Sequence, residues 1–191
     1  MRITEYFSSE NQNHWLEKIK ECDKESGQYL YGLLKDNRLK ELYGPKASVF
    51  LLTENDELIS FCTLVQADGI QSGKLTPRIE LIYTFPEYRG HHYSELLIKK
   101  AEKSALESGM TNIYISTNET GLYEKFGYEF YELQNDIIGN SSCVYKKSLD
   151  LPKNPHCPCK RKKCPRHGSC NACIEHHTKI NRKLPCKRKD G

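Results

Sequence analysis

The stretch Tyr83 to Leu97, YTFPEYRGHHYSELL, constrains the fold more than any other part of the chain. Ile79 to Phe85 is rich in β-branched and aromatic residues and predicts a strand. Pro86 ends it, because proline cannot donate to a sheet ladder. Glu87 to Gly90 form a short turn, and a helix opens near His91 with Leu96, Leu97, Ala101 and Leu106 roughly on one face. A strand that turns tightly into a helix leaves the first helical amides without internal acceptors. Together with the helix dipole they favour an anion. Arg89 adds a fixed positive charge. The turn therefore suits a pyrophosphate. The plainer alternative is an ordinary strand-to-helix connection with an exposed arginine.

A chain of 191 residues fits one domain plus an appendage. Charge and cysteine place the boundary. From Asp150 onward there are twelve Lys and Arg against three Asp and Glu, so the first 149 residues are net acidic although the whole chain is +4. Six of the nine cysteines lie in the same tail, at 157, 159, 164, 170, 173 and 186. Cys22, Cys62 and Cys143 are scattered and read as small buried residues. We divide the chain into a domain over 1–149 and a basic, Cys/His-rich tail over 150–191. No apolar run approaches the roughly 20 residues that span a bilayer. The opening MRITEYFSSENQ lacks the apolar stretch of a secretory signal. The expectation is a cytoplasmic protein with reduced thiols and no membrane partner.

Arg2 to Tyr6 reads as a short strand, followed by a helix through Trp15, Ile19 and Cys22. One further helix is predicted over Ser26 to Tyr43, from the spacing of Leu30, Leu33, Leu34, Leu39 and Leu42. Ala47 to Thr53 and Leu58 to Gln66 form a hairpin about the turn Glu54 to Glu57. Ala67 to Thr76 is a polar loop. After the central helix come a strand at Asn112 to Ser116, a short helix over Asn118 to Phe126, and a closing strand pair, Tyr128 to Gln134 and Ser142 to Lys147. A hairpin meander followed by a crossover helix implies an α/β fold with a mixed central sheet flanked by helices.

FPEYRGHHYSELL, followed after a gap by NETGLYEKFGYEF, resembles the GNAT family of N-acetyltransferases, well over Phe50 to Glu132 and by element order before that. The resemblance implies acetyl-CoA bound against the central strand, with its pyrophosphate at the helix N-terminus. It implies backbone contacts from Ile82, Tyr83 and Thr84 to the pantetheine arm and the acetyl carbonyl. Arg89, Gly90, His91, His92, Tyr93 and Ser94 would form the phosphate loop, and Asn118 would supply a further coenzyme contact. Where the family pattern is Arg/Gln-x-x-Gly-x-Gly/Ala, this chain has His92 for the first of those glycines and Ser94 for the second position. A β-carbon at 92 crowds the phosphates or alters the amide path.

Acetyl transfer to an amine needs a neutral amine, a polarised carbonyl and a protonated leaving thiolate. A strand amide near Tyr83 or Thr84 serves as the polarising donor. By the resemblance, Tyr123 occupies the thiolate-protonating position. A phenol can give a proton to a nascent thiolate and regain it. The alternative is a tyrosine packed under the helix. Glu80 lies on the central strand, where relatives place a carboxylate that accepts the amine proton. Alternation puts it on the face of Ile82 and Thr84, and the alternative is a surface carboxylate paired with Arg78 or Lys74. The acceptor amine is not legible. A catalytically weak binding protein built on the same fold is the competing function.

In the tail, Cys170-x-x-Cys173 is a metal-chelating spacing, and Cys157, Cys159 and Cys164 supply further thiols. So polar a segment builds little core, so a metal such as zinc would supply its folding energy. A disordered basic tail with free thiols is the alternative, and spacing alone leaves an iron–sulfur cluster open. Lys160 to Lys163 and Lys187 to Lys189 invite nucleic acid, but a solvated charge run explains them better in the absence of a base-reading helix.

Overall fold

The computed structural model describes residues 1–65, 75–135, 141–149, 154–164 and 166–184. Contacts divide the chain into two units, Met1–Lys147 and Ser148–Gly191. The first is built from β1 (Arg2–Glu5), α1 (Gln12–Lys20), α2 (Glu25–Lys35), α3 (Leu39–Tyr43), β2 (Ser48–Glu54), β3 (Glu57–Val65), β4 (Arg78–Thr84), α4 (Tyr93–Glu107), β5 (Asn112–Thr117), β6 (Glu129–Asn135) and β7 (Ser141–Ser148). The strands form one sheet in the order β1-β2-β3-β4-β5-β7-β6. β1 to β4 are joined antiparallel, and β5 lies parallel to β4 after the α4 crossover. No described helix is long and apolar enough to cross a membrane.

The hairpin closes as expected. Asn55 and Asp56 both have positive φ, +49° and +66°, as a two-residue turn that follows strand twist requires. The single helix expected over Ser26 to Tyr43 is two. Asn37 adopts φ +55° and breaks the helix between α2 and α3. Asparagine tolerates that region because its side chain can bond locally. The helix expected over Asn118 to Phe126 is a single 3-10 turn, Tyr123–Phe126, stopped by Gly127 at φ +84°. The expected loop Ala67 to Thr76 falls mostly outside the described residues.

The middle of the sheet, β2 and β3, is buried on both faces. On one, Trp15, Ile19, Leu30 and Leu34 of α1 and α2 pack against Val49, Leu51, Phe61, Val65 and Tyr83. α4 packs on the other through Leu97, Ile98, Ala101 and Ala105, all fully buried. Leu96, expected on the inner stripe, is 42% exposed, and Ile98 takes its place.

Candidate active site

β4 does not keep a regular alternation. Phe61 stands opposite Tyr83 and Thr63 opposite Glu80, so two steps on β3 match three on β4. The extra residue falls at Leu81–Ile82, and Leu81 takes φ +50°. This bulge reverses the expected facing. Glu80 shares a face with Tyr83, on the α1–α2 side, and not with Thr84. β5 pairs with β4 only at Arg78↔Tyr114 and Ile79↔Ile115. Beyond Ile79 the two strands part, leaving the β5-side edge of β4 open.

A groove of about 510 Å³ fills this opening. It is lined by Glu80 to Thr84 from β4, Ile115 to Thr117 from β5, the turn before α4, and Tyr123. Lys24 and Ser26, at the start of α2, close one side. The Phe85 amide donates to the Ile59 carbonyl. Antiparallel bonding alternates, so Tyr83 is also a bonded position, whereas Thr84 turns its N–H and C=O away from β3, into the opening. The Thr84 carbonyl there accepts from Arg89 Nε at 3.0 Å. The Tyr83 amide is thus engaged with β3, and the Thr84 amide faces the open edge.

The turn into α4 supplies more. Gly90 has φ +84° and His92 φ +57°, and His92, at the N-cap, makes no capping bond with its side chain. Arg89 N–H donates to Pro86 O and Glu95 N–H to His92 O. Between them the amides of Gly90, His91, His92, Tyr93 and Ser94 find no acceptor among the described residues. His92 itself holds the left-handed conformation, at the position where the family pattern has glycine. Histidine is enriched there among non-glycine residues. His92, Tyr93 and Ser94 line the groove, and His91 stacks on Tyr93 instead, with ring centroids 5.4 Å apart.

Arg89 lines the groove and is held from behind. Its guanidinium lies 3.8 Å from Asp23 and 5.6 Å from the centre of the Tyr83 ring, whose hydroxyl donates to Asp23 at 2.6 Å. Burial and that hydrogen bond push the Tyr83 phenol well above its ordinary range. Asp23 follows α1 and escaped notice in the sequence, since a lone aspartate in a loop carries no motif.

Tyr123 is 6% exposed. Its pKa is pushed up to about 12, first by burial and then by the charge of Glu119, with the Thr117 hydroxyl opposing. The turn that carries it is fastened from β7. Tyr145 donates to Glu124 at 3.1 Å, and Lys147 bonds the Phe126 carbonyl at 2.7 Å while pairing with Glu102 of α4. Those anchors were not legible in the sequence, because they lie about twenty residues away in the chain.

Glu80 lines the groove and stands 3.9 Å from the guanidinium of buried Arg78, itself bonded to Gln134. Asn118 is not among the lining residues, although its near neighbours Thr117 and Glu119 are. In the second unit, α5 (Cys170–Lys179) carries Cys170 and Cys173. Among the described residues no three His, Cys, Asp or Glu side chains stand in an arrangement that could hold a metal ion. The ready zinc site expected from Cys157, Cys159, Cys164, Cys170 and Cys173 is therefore not found. Spacing brings the donors into one neighbourhood but does not fix their rotamers.

No curated protein matches the chain. Among solved structures, it is similar to the aminoglycoside 6'-N-acetyltransferase from Enterococcus faecium, at 17% identity and TM-score 0.59, over 80% of this chain and 98% of that one. It is also similar to an aminoglycoside 6'-N-acetyltransferase complexed with coenzyme A, at 16% identity and TM-score 0.60, again over 80% and 98%. At such identity these likenesses speak for the fold. The family model described as "Acetyltransferase (GNAT) family" matches residues 5–128. The splayed strands, the open amides before α4 and that match agree: the chain belongs to the acetyltransferase (GNAT) family.

Proposed function

We propose that the protein transfers an acetyl group from acetyl-CoA directly to an amine. The observation that carries this reading is the run of five amides, Gly90 to Ser94, without acceptors beside a groove lined by Arg89 and Tyr123. Such a nest suits a pyrophosphate, and the open edge of β4 suits an extended amide-containing arm. Glu80 and Glu119 on the groove wall favour a cationic acceptor. The aminoglycoside acetyltransferases named above are a precedent for an amine acceptor on this fold.

Acetyl-CoA supplies an activated thioester carbonyl. The open-edge amide of Thr84 donates to the carbonyl oxygen as it gains charge. Glu80, directly or through water, takes the proton that the bound ammonium gives up to become the attacking free amine, and solvent takes the second proton after the C–N bond forms. Tyr123 donates a hydrogen bond to the sulfur as the C–S bond breaks, and the departing thiolate takes its proton from solvent. Burial keeps that phenol protonated across the physiological range.

Calorimetric titration with acetyl-CoA tests the reading. Saturable binding is expected, and no binding at about 1 mM overturns it. Gly90→Val should weaken that binding about tenfold. Forcing a β-branched residue to φ +84° costs on the order of 1–2 kcal/mol, and the loop then relaxes away from the bound amide path. Unchanged affinity would remove the loop from the site.

Glu80→Gln should lower the rate most at low pH. Without a proton acceptor only free amine reacts, and that fraction falls about tenfold per pH unit below an amine pKa near 10. Steady-state rates across pH with a fixed acceptor check this. A uniform loss would assign Glu80 to positioning, through its pairing with Arg78.

A further inference from the structure

A second hollow, of about 360 Å³, lies within the unit Ser148–Gly191. Cys157, Cys159, Cys164, Cys170, Cys173 and His167 all line it. These residues span seventeen positions of chain and meet because the backbone folds back on itself. Asn154 N–H donates to the Gly168 carbonyl at 2.8 Å and closes the loop. Cys157 N–H bonds Asn154 O, Cys164 N–H bonds Arg161 O, and His167 N–H bonds Cys164 O, so successive tight turns bring these residues around the hollow. Gly168, at φ +82°, turns the chain into α5. There Cys170 and Cys173 lie three residues apart, as neighbours on the helix surface.

Nothing apolar accounts for this arrangement. Among the described residues from 154 to 184 no hydrophobic side chain is buried, and Ile174 and Ile180 are 48% and 42% exposed. Ordering a chain costs conformational entropy that burial or a ligand must offset. The Nδ1 atom of His167 is buried and has no hydrogen-bond partner, whereas buried polar atoms are normally satisfied. Among the described residues these cysteines form no disulfide. Arg161, Arg166 and Arg182 also line the hollow, where guanidinium groups offset negative charge on thiolates.

We propose that this hollow binds a zinc ion. Cys170 and Cys173 supply two thiolates, and two further ligands come from Cys157, Cys159, Cys164 and His167. Thiolate with imidazole in a fourfold set is the donor chemistry of structural zinc. Since no three donors stand in ligand geometry, the cysteine side chains turn inward on binding, and each releases its proton. This inference does not depend on the acetyltransferase reading.

The test uses the full chain, purified under reducing conditions without chelator and dialysed against zinc. Elemental analysis should find about one tightly held zinc per chain. Cobalt(II) in its place should give the intense visible bands of a tetrahedral ion and near-ultraviolet thiolate charge transfer. Cys170→Ser with Cys173→Ser should weaken zinc binding at least tenfold, whereas Cys143→Ser, outside the hollow, should leave it unchanged, which separates loss of ligands from a general effect of removing thiols. A chelator should speed trypsin cleavage within Lys160 to Lys163. The proposal is overturned if zinc is not retained, if the double variant retains it as tightly, if cobalt binds without thiolate charge transfer, or if the chain carries iron with sulfide instead.

Discussion

Tyr123→Phe is expected to lower kcat about a hundredfold with little change in acetyl-CoA affinity. The phenol is buried, and its ring lies among Phe126, Tyr128 and Tyr145 with centroids 6.3 to 6.4 Å away. Phenylalanine keeps that packing and removes only the donor. A thiol has an ordinary pKa of about 8.5, below the value of about 12 to which this phenol is pushed. Complete transfer is therefore uphill, and the donor acts most strongly as a hydrogen bond to the charging sulfur. Its contribution sits at the low end of general-acid effects for that reason. The same shift predicts that the wild-type rate has no descending limb from this group below about pH 11. Single-turnover rates with a good acceptor, beside a coenzyme titration, check both points. Equal rates for the two proteins would remove Tyr123 from the chemistry.

Phe61→Ala is expected to destabilise the first unit by about 3–5 kcal/mol. Phe61 is fully buried at the middle of β3, opposite Tyr83, with ring centroids 5.4 Å apart. A β-carbon added at Gly27 of α2 would lie only 3.4 Å from the Phe61 ring, so the ring fills the space between sheet and helix. Its removal leaves a cavity in a place where the neighbours are themselves fixed. The lost support reaches the groove through Tyr83, whose hydroxyl holds Asp23 beside Arg89. Urea unfolding followed by tryptophan fluorescence measures it, because Trp15 is buried in the same cluster. A loss below about 1 kcal/mol would mean that the site collapses freely and that the packing described here is not what holds α2 to the sheet.

The site was legible where chemistry follows from residue type and local order. Pro86 after an apolar run, then Arg89-Gly90 before a helical Leu-Leu, dictates a turn with open amides whatever the neighbouring side chains are. Tyr123 was singled out by the likeness of LYEKFG to the family pattern, and it lines the groove. Asn55-Asp56 specified its hairpin by a local conformational preference. These features depend on a few adjacent residues, so the linear chain contains them.

Tertiary structure decided the rest. The bulge at Leu81–Ile82 has no glycine or proline to announce it. It exists because β3 fixes Thr63 opposite Glu80 and Phe61 opposite Tyr83 at once, and it moved Glu80 to the opposite face from the one alternation gives. The parting of β4 and β5 beyond Ile79, which makes the groove, is a relation between two strands and belongs to neither sequence. The high pKa of Tyr123 comes from burial beneath a turn anchored by Tyr145 and Lys147. Asp23 became a neighbour of Arg89 only through packing of the α1–α2 connection on the sheet. Sequence determines what each short segment can do alone; long-range packing determines which faces, edges and charges then meet.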